Sequence, residues 1–201
     1  MSGSEDSAPR DMYGHPIHPL GETGFGVSVT FHTFWPDPNG IKCPYFSIFH
    51  ETDDFRQSLF SAEMNLNGPR TCNVFWDRIT EHFANESWPL GASRWGRDAT
   101  LMSGPNTPIA FNISGFPIYP LGETGFGVAI WFPASSHDAQ TRVAHFAIFH
   151  QSDNYRQYFF SAVLMNSEGP QICDSFPQRI ADFFANQMSL LGAPSLREGG
   201  L

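Results

Sequence analysis

Phe46-Ser47-Ile48-Phe49-His50-Glu51-Thr52-Asp53-Asp54-Phe55-Arg56-Gln57-Ser58-Leu59-Phe60-Ser61-Ala62 occurs a second time, as Phe146-Ala147-Ile148-Phe149-His150-Gln151-Ser152-Asp153-Asn154-Tyr155-Arg156-Gln157-Tyr158-Phe159-Phe160-Ser161-Ala162. Upstream, Pro16-Ile17-His18-Pro19-Leu20-Gly21-Glu22-Thr23-Gly24-Phe25-Gly26-Val27 is matched by Pro117-Ile118-Tyr119-Pro120-Leu121-Gly122-Glu123-Thr124-Gly125-Phe126-Gly127-Val128. Leu20 and Leu121 stand 101 residues apart, His50 and His150 stand 100, and Cys72 and Cys173 again 101. One residue is lost and one regained between strands, where two versions of one fold tolerate length changes. The chain reads as one unit written twice.

Within each unit the alternating prolines predict an extended lead-in, and Gly21, Gly24 and Gly26 a turn. Phe25, Val27, Val29 and Phe31 alternate with small or polar residues, as do Phe126, Val128, Ile130 and Phe132, which predicts a half-buried strand. Pro36-Asp37-Pro38-Asn39-Gly40 is turn chemistry. A second strand is expected at about 45–51 and 145–151, a hairpin tip at 52–54 and 152–154, and a third strand over 55–66 and 155–165. Asn73 and Asp174 suit helix N-caps, and Phe75, Ile79, Phe83 and Phe176, Ile180, Phe184 recur at helical spacing. Pro177 falls in a first turn, where its missing N–H costs little, and Pro89 is a stop.

The expected fold is α+β: an internal duplication of a β-β-β-α unit, antiparallel sheet with one helix per repeat, in a pseudo-two-fold arrangement. The expected divisions are a disordered acidic tail over 1–13, repeat 1 over 14–90, a linker over 91–112, repeat 2 over 113–193 and a tail over 194–201. One such unit leaves an unpaired edge and a marginal core, so the halves are expected to join edge to edge or face to face and to depend on each other.

Hydrophobic residues make up 41% and charged residues 15% of the chain, within the range of a folded globular protein. The net charge is -9, and Lys42 is the single lysine among the 11 basic residues. That balance disfavours a non-specific grip on a phosphate backbone. No apolar run approaches a membrane span of about 18 residues, and Met1 to Asp11 lacks a signal-peptide pattern. An intracellular, cytoplasmic protein is the expectation. Cys43, Cys72 and Cys173 are odd in number and far apart, which matches no disulfide framework.

The repeated hairpin supplies the candidate binding residues: His50, Asp53, Arg56 and Gln57, with His150, Asp153, Arg156 and Gln157. A His-x-x-Asp pair is able to orient an imidazole as a base or to hold a metal. The structural alternative has the Asp closing its own turn and pairing with Arg56 or Arg156 in a partly buried bridge. That alternative is the expectation, and no catalytic residue is assigned. Glu22 to Gly26 and Glu123 to Gly127 precede a strand, whereas phosphate loops follow one, so they read as structural turns. Cys72 and Cys173 read as half-buried structural thiols, and His82 has Phe183 in its place. Trp35, Trp76, Trp88, Trp95 and Trp131 are not duplicated pairwise. Three cysteines and eight histidines form no closed ligand set, so neither metal nor other cofactor is expected.

The expected function is a non-enzymatic binding or interaction protein, a pseudo-dimer presenting a composite surface to a protein or other ligand, self-association included. The sheet-then-helix order resembles, at the level of topology alone, single-strand nucleic-acid binders of the PUR and Whirly type, with no motif in common. That resemblance supplies the first alternative, bases stacked on sheet aromatics. The second is an enzyme with a His/Asp site where the repeats meet.

Overall fold

The computed structural model describes residues 9–33, 40–51, 54–85, 108–133 and 143–192. The first half runs β1 (His18–Pro19), β2 (Phe25–Thr33), β3 (Lys42–His50), β4 (Phe60–Asn65), β5 (Gly68–Val74) and then helix α1 (Trp76–Asn85). The second runs β6 (Ala110–Phe111), β7 (Pro117–Pro120), β8 (Phe126–Trp131), β9 (Val143–His150), β10 (Phe160–Met165), β11 (Gly169–Ser175) and helix α2 (Pro177–Gly192). Each set of strands forms its own antiparallel meander, in the orders β1-β2-β3-β4-β5 and β11-β10-β9-β8-β7-β6. The fold is therefore an α+β mixture of two antiparallel sheets and two helices.

Two expectations need correction. Three strands per half is too few. Residues 55–59 are a loop that folds back, β4 begins only at Phe60, and Asn67-Gly68 turns the chain into a further strand, β5. Short polar and proline-containing β5 hides its strand character, because Gly68-Pro69 reads as a terminator. Asn73 and Asp174 accordingly lie in β5 and β11, not at helix N-caps, and the helices begin at Trp76 and Pro177. Pro177 does occupy the first helical position. The 36–39 turn, Trp35, Trp88, Trp95 and residues 91–107 of the expected 91–112 linker lie outside the described residues, while β6 falls in the remainder of that linker.

The halves meet face to face through the inner faces of the sheets. Phe25 packs edge-on against Phe146, ring centroids 5.4 Å apart, and Phe126 packs edge-on against Phe46 at 5.3 Å. Phe60 meets Phe146 and Phe160 meets Phe46, both at 5.9 Å. The contacts come in exchanged pairs, each half supplying the same residue to the other. Phe25, Val27, Phe46, Ile48, Phe60 and Ala62, with Phe126, Val128, Phe146, Ile148, Phe160 and Ala162, belong to one buried cluster. T-shaped rings at these separations add about 0.5–1.5 kcal/mol per pair beyond burial.

The helices close the same core with Ile79 from α1 and Ile180 and Phe184 from α2. The side-chain carbonyl of Gln187 on α2 accepts from the Lys42 N–H at 3.3 Å, and its amide donates to the Lys42 carbonyl at 3.2 Å. The second helix thereby fastens to the first sheet. Matching turns open the two halves: the Asp11 carboxylate accepts from the Tyr13 and His15 N–H groups, and the Asn112 carbonyl from Ser114 and Phe116. Ordered structure thus starts ahead of Gly14. Among the described residues no helix is long and apolar enough to cross a membrane.

Candidate functional site

The duplicated hairpin is held by the glycine-rich turn beneath it. Thr23 donates to the Leu20 carbonyl and Thr124 to the Leu121 carbonyl, both at 2.7 Å, and each hydroxyl oxygen accepts the N–H of the phenylalanine two residues on. Gly24 and Gly125 have φ of +77° and +79°, and a Cβ at either would lie 2.6 Å from His50 Nε2 or 2.8 Å from His150 Nε2. At the hairpin tip Asp54 and Phe55, like Asn154 and Tyr155, adopt positive φ near 57°. A side chain accepts that conformation only when packing repays it. Here Phe55 lies on Gly26 and Tyr155 on Gly127, 3.0 and 3.2 Å from where a Cβ would stand. The Glu-Thr-Gly-Phe-Gly segment is a cradle for the hairpin.

The candidate residues then separate. His50 is 4% exposed, with its ring 4.7 Å from Phe25 and 4.4 Å from His82. His150 packs in the same way on Phe126, but meets Phe183 where His50 meets His82. Its Nδ1 accepts from the Ser152 N–H at 3.2 Å. Burial pushes its pKa below the usual imidazole range, and Arg179 acts in the same direction, against the opposing pull of Asp153. The imidazole is thus held neutral, as part of the turn.

Asp153 pairs with Arg179, not with Arg156. Arg179 on α2 reaches its carboxylate at 2.7 Å while lying 4.8 Å over the Phe159 ring, and the same carboxylate accepts the Gln157 N–H. The pair ties helix to hairpin. Arg156 and Gln157 are exposed. In the first half the Arg56 side chain is 81% exposed, with the exposed Asp54 carboxylate 3.9 Å away. Asp53 lies outside the described residues, and Gln57 is exposed. In the second half the expected bridge within the hairpin is replaced by one to the helix. Arg78 and Arg179 stand at matching places in the two helices, which is the signal the sequence carries for this pair.

A cluster not anticipated from the sequence lies on the outer face of the first sheet. Register places Thr30 beside Tyr45, Tyr45 beside Glu63, Ser47 beside Ser61, and Glu63 beside Arg70. Arg70, its side chain 66% exposed, donates to Glu63 from Nε at 2.7 Å, while Glu63 itself is 9% exposed. The Ser47 and Ser61 hydroxyls are 3.2 Å apart, and the Asn73 amide donates to the Tyr45 oxygen. Burial, with the Glu63 carboxylate next in effect, pushes the Cys72 thiol up. Burial and Asp174 do the same to Cys173. Neither is poised as a nucleophile.

The outer face of the second sheet is less polar at several of the same places, though Ser161 keeps the serine of Ser61. Ala129 stands for Ser28, Trp131 for Thr30, His145 for Tyr45, Ala147 for Ser47 and Val163 for Glu63. Ile118, Ala129, Ala147 and Phe149 form a second buried cluster under Trp131, Tyr155 and Tyr158. Phe116, Trp131 and His145 stack side by side, with centroids 5.5 and 5.2 Å apart. Tyr158 donates to Asp174 at 2.6 Å, and that bond, followed by burial, raises its pKa to about 12. Comparison with known proteins finds no matching family model, curated protein or solved structure.

Proposed function

We propose that the chain is an internal duplication of one meander-plus-helix unit, related by a pseudo-two-fold axis. In this reading it is a non-enzymatic binding protein that offers the outer face of its first sheet to a protein partner. The observation that carries this is where the two halves agree and where they part. Inward positions are the same residue type at Phe25 and Phe126, Phe46 and Phe146, Phe60 and Phe160, while outward Ser28, Thr30, Ser47 and Glu63 give way to Ala129, Trp131, Ala147 and Val163. A face needed only to keep water out would stay apolar in both halves. Holding Glu63 nearly buried under an exposed Arg70 has a desolvation cost that an alanine or valine avoids.

In the second half His150 and Asp153 are engaged within the fold. His150 accepts a turn N–H, Asp153 holds Arg179, and both outer-face thiols are shifted away from the thiolate. The strand aromatics Phe25, Phe46, Phe126 and Phe146 are buried between the sheets, away from any base that would stack on them. The test is a swap of faces. Glu63→Val with Arg70→Gln gives the first sheet the second sheet's residues. Cross-linked capture with the full-length chain is expected to lose its specific partners in this variant, with the melting temperature retained. Capture of the same set by both forms would remove the first face from the account. Steeply salt-dependent binding of a labelled single-stranded oligonucleotide would move the account to nucleic acid.

A further inference from the structure

The two halves also differ at the edge that each offers to solvent. β6 is the last strand of its sheet, and among the described residues nothing pairs with its outer side. Ile109 is 46% exposed, Phe111 56% and Ile113, in the turn that follows, fully exposed. Ala110 between them turns the other way and packs on the apolar cluster of the outer face. Native edges are guarded by charge, bulges or proline against pairing with another chain. The first half has such a guard: Arg10 takes the place of Phe111, in the bridge to Pro16, and its guanidinium is tied to the Gly14 carbonyl at 2.7 Å. The second edge has no such charge: no residue from Pro108 to Gly122 is acidic or basic.

We propose that β6 is the self-association edge of the molecule and that its occupant is β6 of a second copy of this chain. Three features favour a second copy over a foreign segment. An antiparallel pair about a two-fold axis places Phe111 against its own mate and joins the two second sheets into one. Ile109, Phe111 and Ile113 are exposed together, so each copy offers the other an apolar rim along this edge. The net charge of -9 sets copies apart in general, yet it is absent along this edge, so this is where two copies approach at least electrostatic cost. The contact is isologous, uses up the edge in both partners, and stops at two.

The experiment is light scattering of full-length protein over a range of concentrations, with Phe111→Arg as the variant. That substitution gives the second edge the residue the first edge already carries. Wild type is expected at the mass of a dimer, and Phe111→Arg at the mass of a monomer at the same concentration. Its dissociation constant is expected to rise at least about ten-fold, as for an aromatic anchor at an interface centre. If Phe111→Arg fails to fold, Ile113→Asp, at a fully exposed position, reads the same contact. A monomeric wild type, a dimer unchanged by both substitutions, or open-ended assemblies would overturn the proposal. Because the face swap leaves this edge untouched, loss of partner capture and loss of the dimer are separable results.

Discussion

The outer faces of the two sheets carry opposite chemistry on backbones held in the same register. Ser47 faces Ser61 across one pair of strands, and Ala147 faces Ser161 across the other; Glu63 sits beside Arg70, and Val163 beside Gln171. The inner faces differ hardly at all. Each inner phenylalanine touches its counterpart's neighbours in the other half, so a change there is felt in both sheets at once, while an outward residue answers only to its own sheet and to whatever it meets outside. Packing fixes one face and leaves the other free to specialise.

The sharpest way to break that comparison is to cut the inner face. Phe46→Ala and Phe146→Ala should each cost about 3–5 kcal/mol in urea unfolding, and nearly the same as each other. Unequal losses would mean that the halves do not contribute alike. Next is the cradle. Gly24→Ala and Gly125→Ala place a methyl group against a histidine ring at positive φ, for an expected loss of about 2–3 kcal/mol in each half.

The contrast between the two arginines of the second half is the next in size. Arg179→Ala should cost about 2 kcal/mol, since it strips a largely buried carboxylate of its partner and uncovers Phe159. Arg156→Ala, on an exposed side chain, should stay within about 0.5 kcal/mol. A double-mutant cycle of Asp153→Ala with Arg179→Ala is expected to show coupling of about 1 kcal/mol or more. Additive losses would dissolve the pair.

The smallest effects sharpen the outer-face comparison itself. Ala129→Ser puts a hydroxyl beside Ile118 and Ala147 in an apolar cluster and should cost about 1–2 kcal/mol, whereas Ser47→Ala gives up one hydroxyl contact and should cost less than about 1 kcal/mol. Equal costs would show that the two faces present the same environment.

Much of the fold was legible because the same residue pattern recurs in both halves of the sequence. Alternation around Phe25 and Phe46 marked two of the strands, and Ile79 and Ile180 marked the helices. β5 and β11 were hidden because a sequence such as Gly68-Pro69-Arg70-Thr71-Cys72 lacks the branched or aromatic alternation that signals a strand; it pairs through its backbone along β4. The hairpin residues were seen, but not their partners. Asp153 finds Arg179 only after the chain has passed through two strands, and sequence distance hides such a meeting. The outer-face cluster was invisible for a related reason: Tyr45, Glu63, Arg70 and Asn73 become neighbours only through register across three strands. The signal available was the substitution pattern between the halves, read at every second position.

The claim beneath all of this is that both halves fold around one core. Differential scanning calorimetry of the full-length wild type tests it most directly. One transition, with calorimetric and van't Hoff enthalpies in agreement for the unit that melts, is the predicted result. Two separate transitions, each with the enthalpy of half the chain, would contradict it.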